Sequence, residues 1–136
     1  MRTRPFLRGA VDSDYELGET TAQVVLAVPI LLSLVLMAVQ GAVFMHTANV
    51  ATASAARGAA AGASMQGGAI AALDATVRST AELSAQLISE PIVMISDEQV
   101  SVTVKLRVPQ VAPFFNLSVT RTVIEPRERF VPEDER

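Results

Sequence analysis

The side chains that most often carry enzymatic chemistry are scarce in this chain of 136 residues. Cysteine is absent and His46 is the only histidine, so neither a thiol nucleophile nor a cysteine–histidine metal site can be assembled. No acidic residue stands close to His46 in the sequence, and general acid–base catalysis needs a partner within hydrogen-bonding reach. We therefore expect no catalytic residue, no metal site and no enzyme activity.

Other patterns that could bind a substrate or cofactor are also weak. Gly67 and Gly68 lack the surrounding residues of a phosphate-binding loop, and the acidic residues at 133–135 are explained as a solvated charge run in a flexible tail. The formal net charge is -3, whereas binding to nucleic acid requires clustered lysine and arginine. We expect no cofactor, no small-molecule substrate and no nucleic-acid partner.

The most informative feature of the chain is a long apolar segment. No Asp, Glu, Lys or Arg occurs between Thr20 and Ala56, and residues 22–45 form the strongly apolar part. As a helix, those residues would extend about 36 Å, which is enough to cross a hydrocarbon core of about 30 Å. Their Val, Leu, Ile and Phe side chains favour insertion by roughly 4 to 8 kcal/mol. The sequence predicts a transmembrane helix, with His46 at its outer boundary.

The charges that flank this segment indicate its orientation. Three arginines, Arg2, Arg4 and Arg8, precede the apolar segment, and only Arg57 follows it closely. Positively charged flanks stay in the cytoplasm, so we expect a single-pass protein of the cell membrane with a cytoplasmic N-terminus. The alternative is a secretory signal peptide cut near residues 53–55, but the apolar segment is longer than usual and its leader contains acidic residues.

The region after the apolar segment is rich in Ala, Ser and Gly, and Ala favours continuation of the helix. Gly58 and Gly62 have the spacing that lets another helix approach closely, which suits packing between neighbouring subunits, although Ala-rich helices contain such spacings by chance. Gly67 and Gly68 predict a break. Apolar residues near helical spacing from 69 to 88 predict a second, amphipathic helix that covers a sheet.

Strands are predicted in the last third of the chain. Residues 92–95 form a short apolar run, residues 100–108 alternate strictly between apolar and polar side chains, and residues 117–124 repeat the alternation. Arg121 interrupts the apolar face of the third strand, which indicates either an edge strand or a site for an acidic partner. The charged tail, 126–136, contains prolines and is expected to be unfolded.

These elements together predict an α+β chain. A long N-terminal transmembrane helix extends into an Ala-rich helix and is followed by a small module of one helix and about three antiparallel strands. The expected parts are, in order, a cytoplasmic leader, the transmembrane helix, an extracytoplasmic helical region, a small antiparallel β region and a disordered tail: 1–18, 19–46, 47–90, 91–125 and 126–136.

Two segments resemble the TadE-like family of the tight adherence pilus apparatus, a type IV pilin-like group. The first is Gly18-Glu-Thr-Thr-Ala-Gln-Val-Val-Leu-Ala-Val-Pro29, and the second is the Ala-rich stretch 52–61 with Arg57 inside it. The resemblance covers residues 18–62, and it implies a pilin-like fold and a function in a bacterial cell envelope.

The resemblance also implies a cleavage site and an assembly contact. A prepilin peptidase is expected to cut after Gly18, which makes Glu19 the first mature residue, and a flexible Gly suits entry into a protease cleft. The acidic residue of the family pattern corresponds to Gln23, which can hydrogen-bond but carries no charge. Gln23 is therefore either a weaker assembly contact or an ordinary polar residue near a helix end.

The function implied by the resemblance is that of a minor pilin or pseudopilin, a structural or assembly subunit of a tight adherence (Flp-type) pilus or related secretion apparatus. Its expected partners are the lipid bilayer, the prepilin peptidase, other pilin-like subunits and the inner-membrane assembly platform. The alternative is an uncleaved single-pass membrane protein whose outer α+β module binds a cell-envelope partner.

Overall fold

A computed structural model describes the backbone of residues 13–127 and the side chains of residues 23–127. Residues 1–12, which hold the three arginines of the expected leader, lie outside the described residues, and so do residues 128–136 of the expected tail. Within the described part the chain is α+β, as the sequence predicts, and it contains two helices and a four-stranded antiparallel sheet.

The first helix, α1, runs from Ser13 to Ala63, a length of 51 residues. It continues through Pro29, whose missing N–H would interrupt the hydrogen bonds of a helix interior. The hydroxyl of Ser33 donates a hydrogen bond to the carbonyl oxygen of Pro29 at 2.7 Å. The carbonyl oxygen that loses its helical partner is that of Val25, four residues before Pro29, so the bond of Ser33 does not replace the missing one.

Contacts divide the chain into two units, Met1–Ala38 and Val39–Arg136. In the first unit, the described residues belong to α1 alone, and most of their large apolar side chains are exposed. The second unit contains the rest of α1, the second helix and the sheet, and it holds the buried core.

The second helix, α2, runs from Ala69 to Glu82. It begins after Gly68, whose φ of 157° and ψ of -174° belong to a backbone region open mainly to glycine, so the predicted break is confirmed. The prediction that the helix reaches Ile88 is wrong. Ser84 has a positive φ of 54°, which ends the helix and turns the chain into a strand.

The sheet contains four strands: β1 (Gln86–Leu87), β2 (Ile92–Ile95), β3 (Gln99–Arg107) and β4 (Ser118–Pro126). All pairings with β3 are antiparallel. Since β4 pairs along the whole of β3, β1 and β2 share the other side of β3. The strand that the sequence predicts for residues 100–108 is therefore the centre of the sheet, and the two-residue β1 is an addition to the three predicted strands.

The core of the second unit joins the central strand to the Ala-rich part of α1. Val100, Val102, Val104 and Leu106 on one face of β3 are completely buried, as their alternation with polar residues predicts. On α1 the buried residues of this core are alanines apart from Val50, and three of the alanines are four residues apart: Ala51, Ala55 and Ala59. Small side chains along one face let the sheet pack closely against the helix.

The buried face of α2 differs from the predicted one. Its buried residues are Ala72, Thr76, Ser79 and Thr80, whereas Ile70 on the predicted apolar face is 86% exposed. The hydroxyl of Thr76 donates to the carbonyl oxygen of Ala72 at 2.7 Å, and Thr80 makes similar bonds within the helix. Because these hydroxyls are satisfied by their own helix backbone, a small polar face can be buried at low cost.

β4 pairs with β3 alone among the strands of the described chain, so the edge position predicted for it is observed. Arg121 lies opposite Val104, on the face of β4 that continues the core face of β3, and its side chain is exposed. A charged residue on that face of an edge strand disfavours pairing with further strands.

Candidate functional site

The exposed apolar surface of α1 is the most unusual surface in the described chain. Between Val24 and Val39, eleven large apolar side chains have exposed fractions of 42–68%. These 16 residues extend about 24 Å along the helix. Soluble proteins seldom expose a continuous apolar surface of that size. Within the described residues, α1 is the one helix long and apolar enough to cross a membrane, by its length and composition.

The residues of the expected processing site lie near the beginning of α1. The backbone of Gly18 and Glu19 is helical, and their side chains are outside the described part. Gln23 is exposed on the same helix, at the start of the apolar segment. Cleavage after Gly18 and the assembly contact of Gln23 both stay predictions.

Gln40 is the third polar residue of the apolar segment, after Gln23 and Ser33. It has a structural role that the sequence did not reveal. Gln40 is buried, and its side-chain Nε2 donates to the carbonyl oxygen of Pro109 at 3.2 Å. Its Oε1 accepts hydrogen bonds from the backbone N–H groups of Val111 at 2.8 Å and Ala112 at 3.1 Å. One glutamine side chain therefore holds the segment between β3 and β4 against α1.

The segment that Gln40 holds, residues 108–117, is called here the β3–β4 loop. It is closed by a hydrogen bond of 3.0 Å from the N–H of Val108 to the carbonyl oxygen of Leu117. Phe114 at its tip is 98% exposed and has a positive φ of 73°. That conformation costs a bulky residue about 1–3 kcal/mol. The loop thus presents an aromatic side chain to its surroundings in spite of backbone strain.

Gly58 and Gly62 contact α2 of the same chain. A Cβ atom at Gly58 would overlap the hydroxyl of Thr76 and lie 2.9 Å from the carbonyl oxygen of Ala72. A Cβ atom at Gly62 would lie 2.9 Å from that of Ala72. The two glycines therefore permit close packing of α2 on α1. Their contact with a neighbouring subunit stays a prediction, and α2 covers the face that would make it.

Arg57, the charged residue of the Ala-rich stretch, also contacts α2. Its guanidinium donates to the hydroxyl of Ser79 at 3.1 Å and forms an ion pair with Glu82 at 3.3 Å. Both charged side chains are more than half exposed, so the pair contributes little to stability.

His46 lines a cleft of about 520 Å³ between α1, the end of α2 and the start of the β3–β4 loop. Arg107 and Asn116 also line it, and no carboxylate occurs among its lining residues in the described chain. Among residues 23–127, none that lines this cleft could serve His46 as an acidic partner. Among the residues described, no three His, Asp or Glu side chains form a group that could hold a metal ion.

Comparisons with protein-family models, with curated proteins and with solved structures gave no match to this chain. The fold and the site define an α+β protein with a long apolar helix near its N-terminus, compatible with a membrane span, and a small folded unit that begins within that helix.

Proposed function

We propose that this chain is a TadE-like minor pilin or pseudopilin, a subunit that forms or helps to assemble a tight adherence pilus or a related secretion apparatus. The observation that carries the proposal is the exposed apolar surface of α1 between Val24 and Val39, on a helix that continues into a folded α+β unit. The assignment to the TadE-like family rests on the resemblance of residues 18–62.

In this proposal the exposed apolar surface of α1 lies in lipid. A transmembrane helix satisfies its own backbone hydrogen bonds, and its apolar side chains replace water with acyl chains. The described part of the span is uncharged, and its polar side chains are few. In this proposal the helix anchors the subunit in the membrane and packs against neighbouring pilin-like subunits, and the α+β unit lies outside the cytoplasm.

The orientation in this proposal follows from the arginines at the start of the sequence. Arg2, Arg4 and Arg8 keep the leader in the cytoplasm, where an inner-membrane assembly platform and a prepilin peptidase act on pilin-like subunits. Removal of the leader then makes Glu19 the first residue of the mature subunit.

The intact mass of the protein recovered from membranes tests this proposal. Cleavage after Gly18 removes 18 residues and leaves 118 of the 136. The test requires a host that supplies the peptidase and the assembly platform. We expect Gly18→Phe to prevent this loss while the protein still inserts, because the apolar segment is unchanged. Gly9→Phe is the matched control, with the same substitution at another glycine of the leader, and should be processed normally.

A second candidate function is that of an uncleaved membrane anchor whose outer unit binds a cell-envelope partner. The cleft beside His46 and Arg107 offers such a partner a concave surface of about 520 Å³ on the outer unit. The same mass measurement separates the two functions. Full-length protein that retains Met1 in such a host supports the anchor and contradicts the pilin-like subunit, whereas the mature mass supports the pilin-like subunit.

A further inference from the structure

The tip of the β3–β4 loop is apolar and carries no charge. Residues 108–120 contain no Asp, Glu, Lys or Arg. Val111, Pro113, Phe114 and Phe115 are exposed at the tip, and Phe114 is almost completely so. An exposed aromatic pair on an uncharged loop is a feature of surfaces that contact an apolar partner.

The hydrogen bonds of Gln40 fix the position of this loop along α1. Gln40 is five residues before Met45, the last residue of the strongly apolar segment, which corresponds to about 7.5 Å of helix. The side chain of Gln40 is hydrogen-bonded to the loop backbone at Pro109, Val111 and Ala112. The loop therefore lies beside the last two turns of the apolar segment, before the residue at which that segment ends.

The same hydrogen bonds lower the cost of placing these polar groups near lipid. A glutamine amide and free loop N–H groups are costly at the edge of the hydrocarbon region unless they bond to each other. Here the Oε1 of Gln40 accepts from two loop N–H groups, and its Nε2 donates to a loop carbonyl. The pairing satisfies three polar groups of the loop backbone, and the side chains of Val111, Phe114 and Phe115 remain exposed.

We infer that residues 111–115 enter the bilayer interface beside α1 and form a second lipid contact of this protein. The partner is the phospholipid bilayer itself, because the loop is bonded to a residue of the apolar segment. Arg107 and His46 line the cleft next to the loop, where an interfacial cation and an amphipathic ring meet lipid headgroups. The inference rests on the proposed membrane span of α1.

The absence of tryptophan from the chain makes this inference directly measurable. Phe114→Trp places a single fluorescent reporter at the loop tip, where the exposed site tolerates it. Leu32→Trp reports insertion of the span. Met94→Trp is the exposed control, since its partner Ser101 is about 23 Å along β3 from Val108. Each full-length variant is reconstituted into three kinds of phosphatidylcholine vesicle: without bromine, with bromine on the acyl chains near the headgroups, and with bromine near the ends of the acyl chains, because Leu32 lies near the middle of the span.

We expect bromine near the headgroups to reduce the emission of Phe114→Trp by about half or more, as an interfacial aromatic residue requires. Bromine near the chain ends should reduce the emission of Leu32→Trp by a similar amount, and neither kind of vesicle should change Met94→Trp appreciably. Quenching of Leu32→Trp without quenching of Phe114→Trp overturns the inference and leaves the span intact. In that case a blue-shifted emission from Phe114→Trp indicates contact with another copy of this chain or with its own folded unit, and a red-shifted one indicates water. If Leu32→Trp is not quenched, the membrane span itself is refuted and the inference falls with it.

Discussion

Replacing Gln40 by leucine should release the β3–β4 loop from α1 while the apolar packing of the helix is retained. Leucine has nearly the volume of glutamine but offers no donor or acceptor. Three hydrogen bonds are lost, one to the carbonyl oxygen of Pro109 and two from the N–H groups of Val111 and Ala112. Ala112 is buried, so its N–H has no access to water in the folded loop.

The magnitude of this effect follows from the burial of the groups that lose a partner. A buried N–H left without an acceptor costs about 1–3 kcal/mol, and each of the two less buried hydrogen bonds adds about 0.5–1.5 kcal/mol. The free energy that opposes local opening of the loop should therefore fall by at least about 2 kcal/mol. Because about 1.4 kcal/mol corresponds to a factor of ten, exchange of these amide hydrogens should accelerate at least about 30-fold.

Hydrogen exchange followed by mass spectrometry on the full-length protein in detergent micelles is the assay, with the peptide that covers residues 108–117 as the readout. Gln110→Leu is the matched control, because Gln110 is an exposed residue of the same loop. A surface change of this kind should alter exchange less than about threefold. If the Gln40→Leu variant exchanges in this peptide no faster than the Gln110→Leu variant, Gln40 does not hold the loop.

Three further predictions concern the helices. In a denaturant titration, Gly58→Ala should destabilise the second unit by about 1–2 kcal/mol, because the new methyl group overlaps α2 and this overpacking exceeds the gain in helix propensity. Gly41→Ala is the control: open space surrounds Gly41, so this change should be neutral or stabilising. Glu82→Gln should lower that stability by less than about 1 kcal/mol, since its partner Arg57 is exposed, and a larger loss would contradict the solvated ion pair. Gln23→Glu should raise incorporation into sheared filaments severalfold through pairing with a subunit's N-terminal amine, relative to Gln23→Leu, and equal incorporation of both variants would rule out an assembly contact at this position.

The sequence predicted the elements whose apolar residues recur at regular spacing. The alternation of residues 100–108 is unambiguous because one face of β3 is fully buried and the other is polar. The two glycines at 67 and 68 likewise mark the break between the helices, since the backbone at Gly68 adopts a conformation that other residues avoid.

The buried face of α2 could not be predicted from hydrophobicity. Its contact with α1 is made by small residues and by hydroxyls that bond to their own backbone, and neither is recognised by a search for large apolar side chains. The glycines at 58 and 62 did indicate a close helix contact, but the sequence could not tell whether the partner is another subunit or, as the structure has it, α2 of the same chain.

The role of Gln40 was hidden for a different reason. Its partners are about 70 residues away in the sequence and belong to the backbone, so their side-chain types carry no signal. A polar residue in an apolar segment indicates that some other group accepts or donates its hydrogen bonds, but only the fold identifies the β3–β4 loop as that partner. The sequence alone could not identify the apolar tip of this loop as a lipid contact, because the position of the loop beside α1 follows only from the fold.

Extraction of membranes at alkaline pH tests the lipid-embedded helix most directly, because carbonate removes proteins bound only at the surface and leaves those anchored by an inserted helix. The full-length chain should stay in the membrane pellet and enter solution only with detergent. Recovery of the chain as a stable monomer in the supernatant, without detergent, would contradict the account, since the apolar residues between Val24 and Val39 would then have to be tolerated in water.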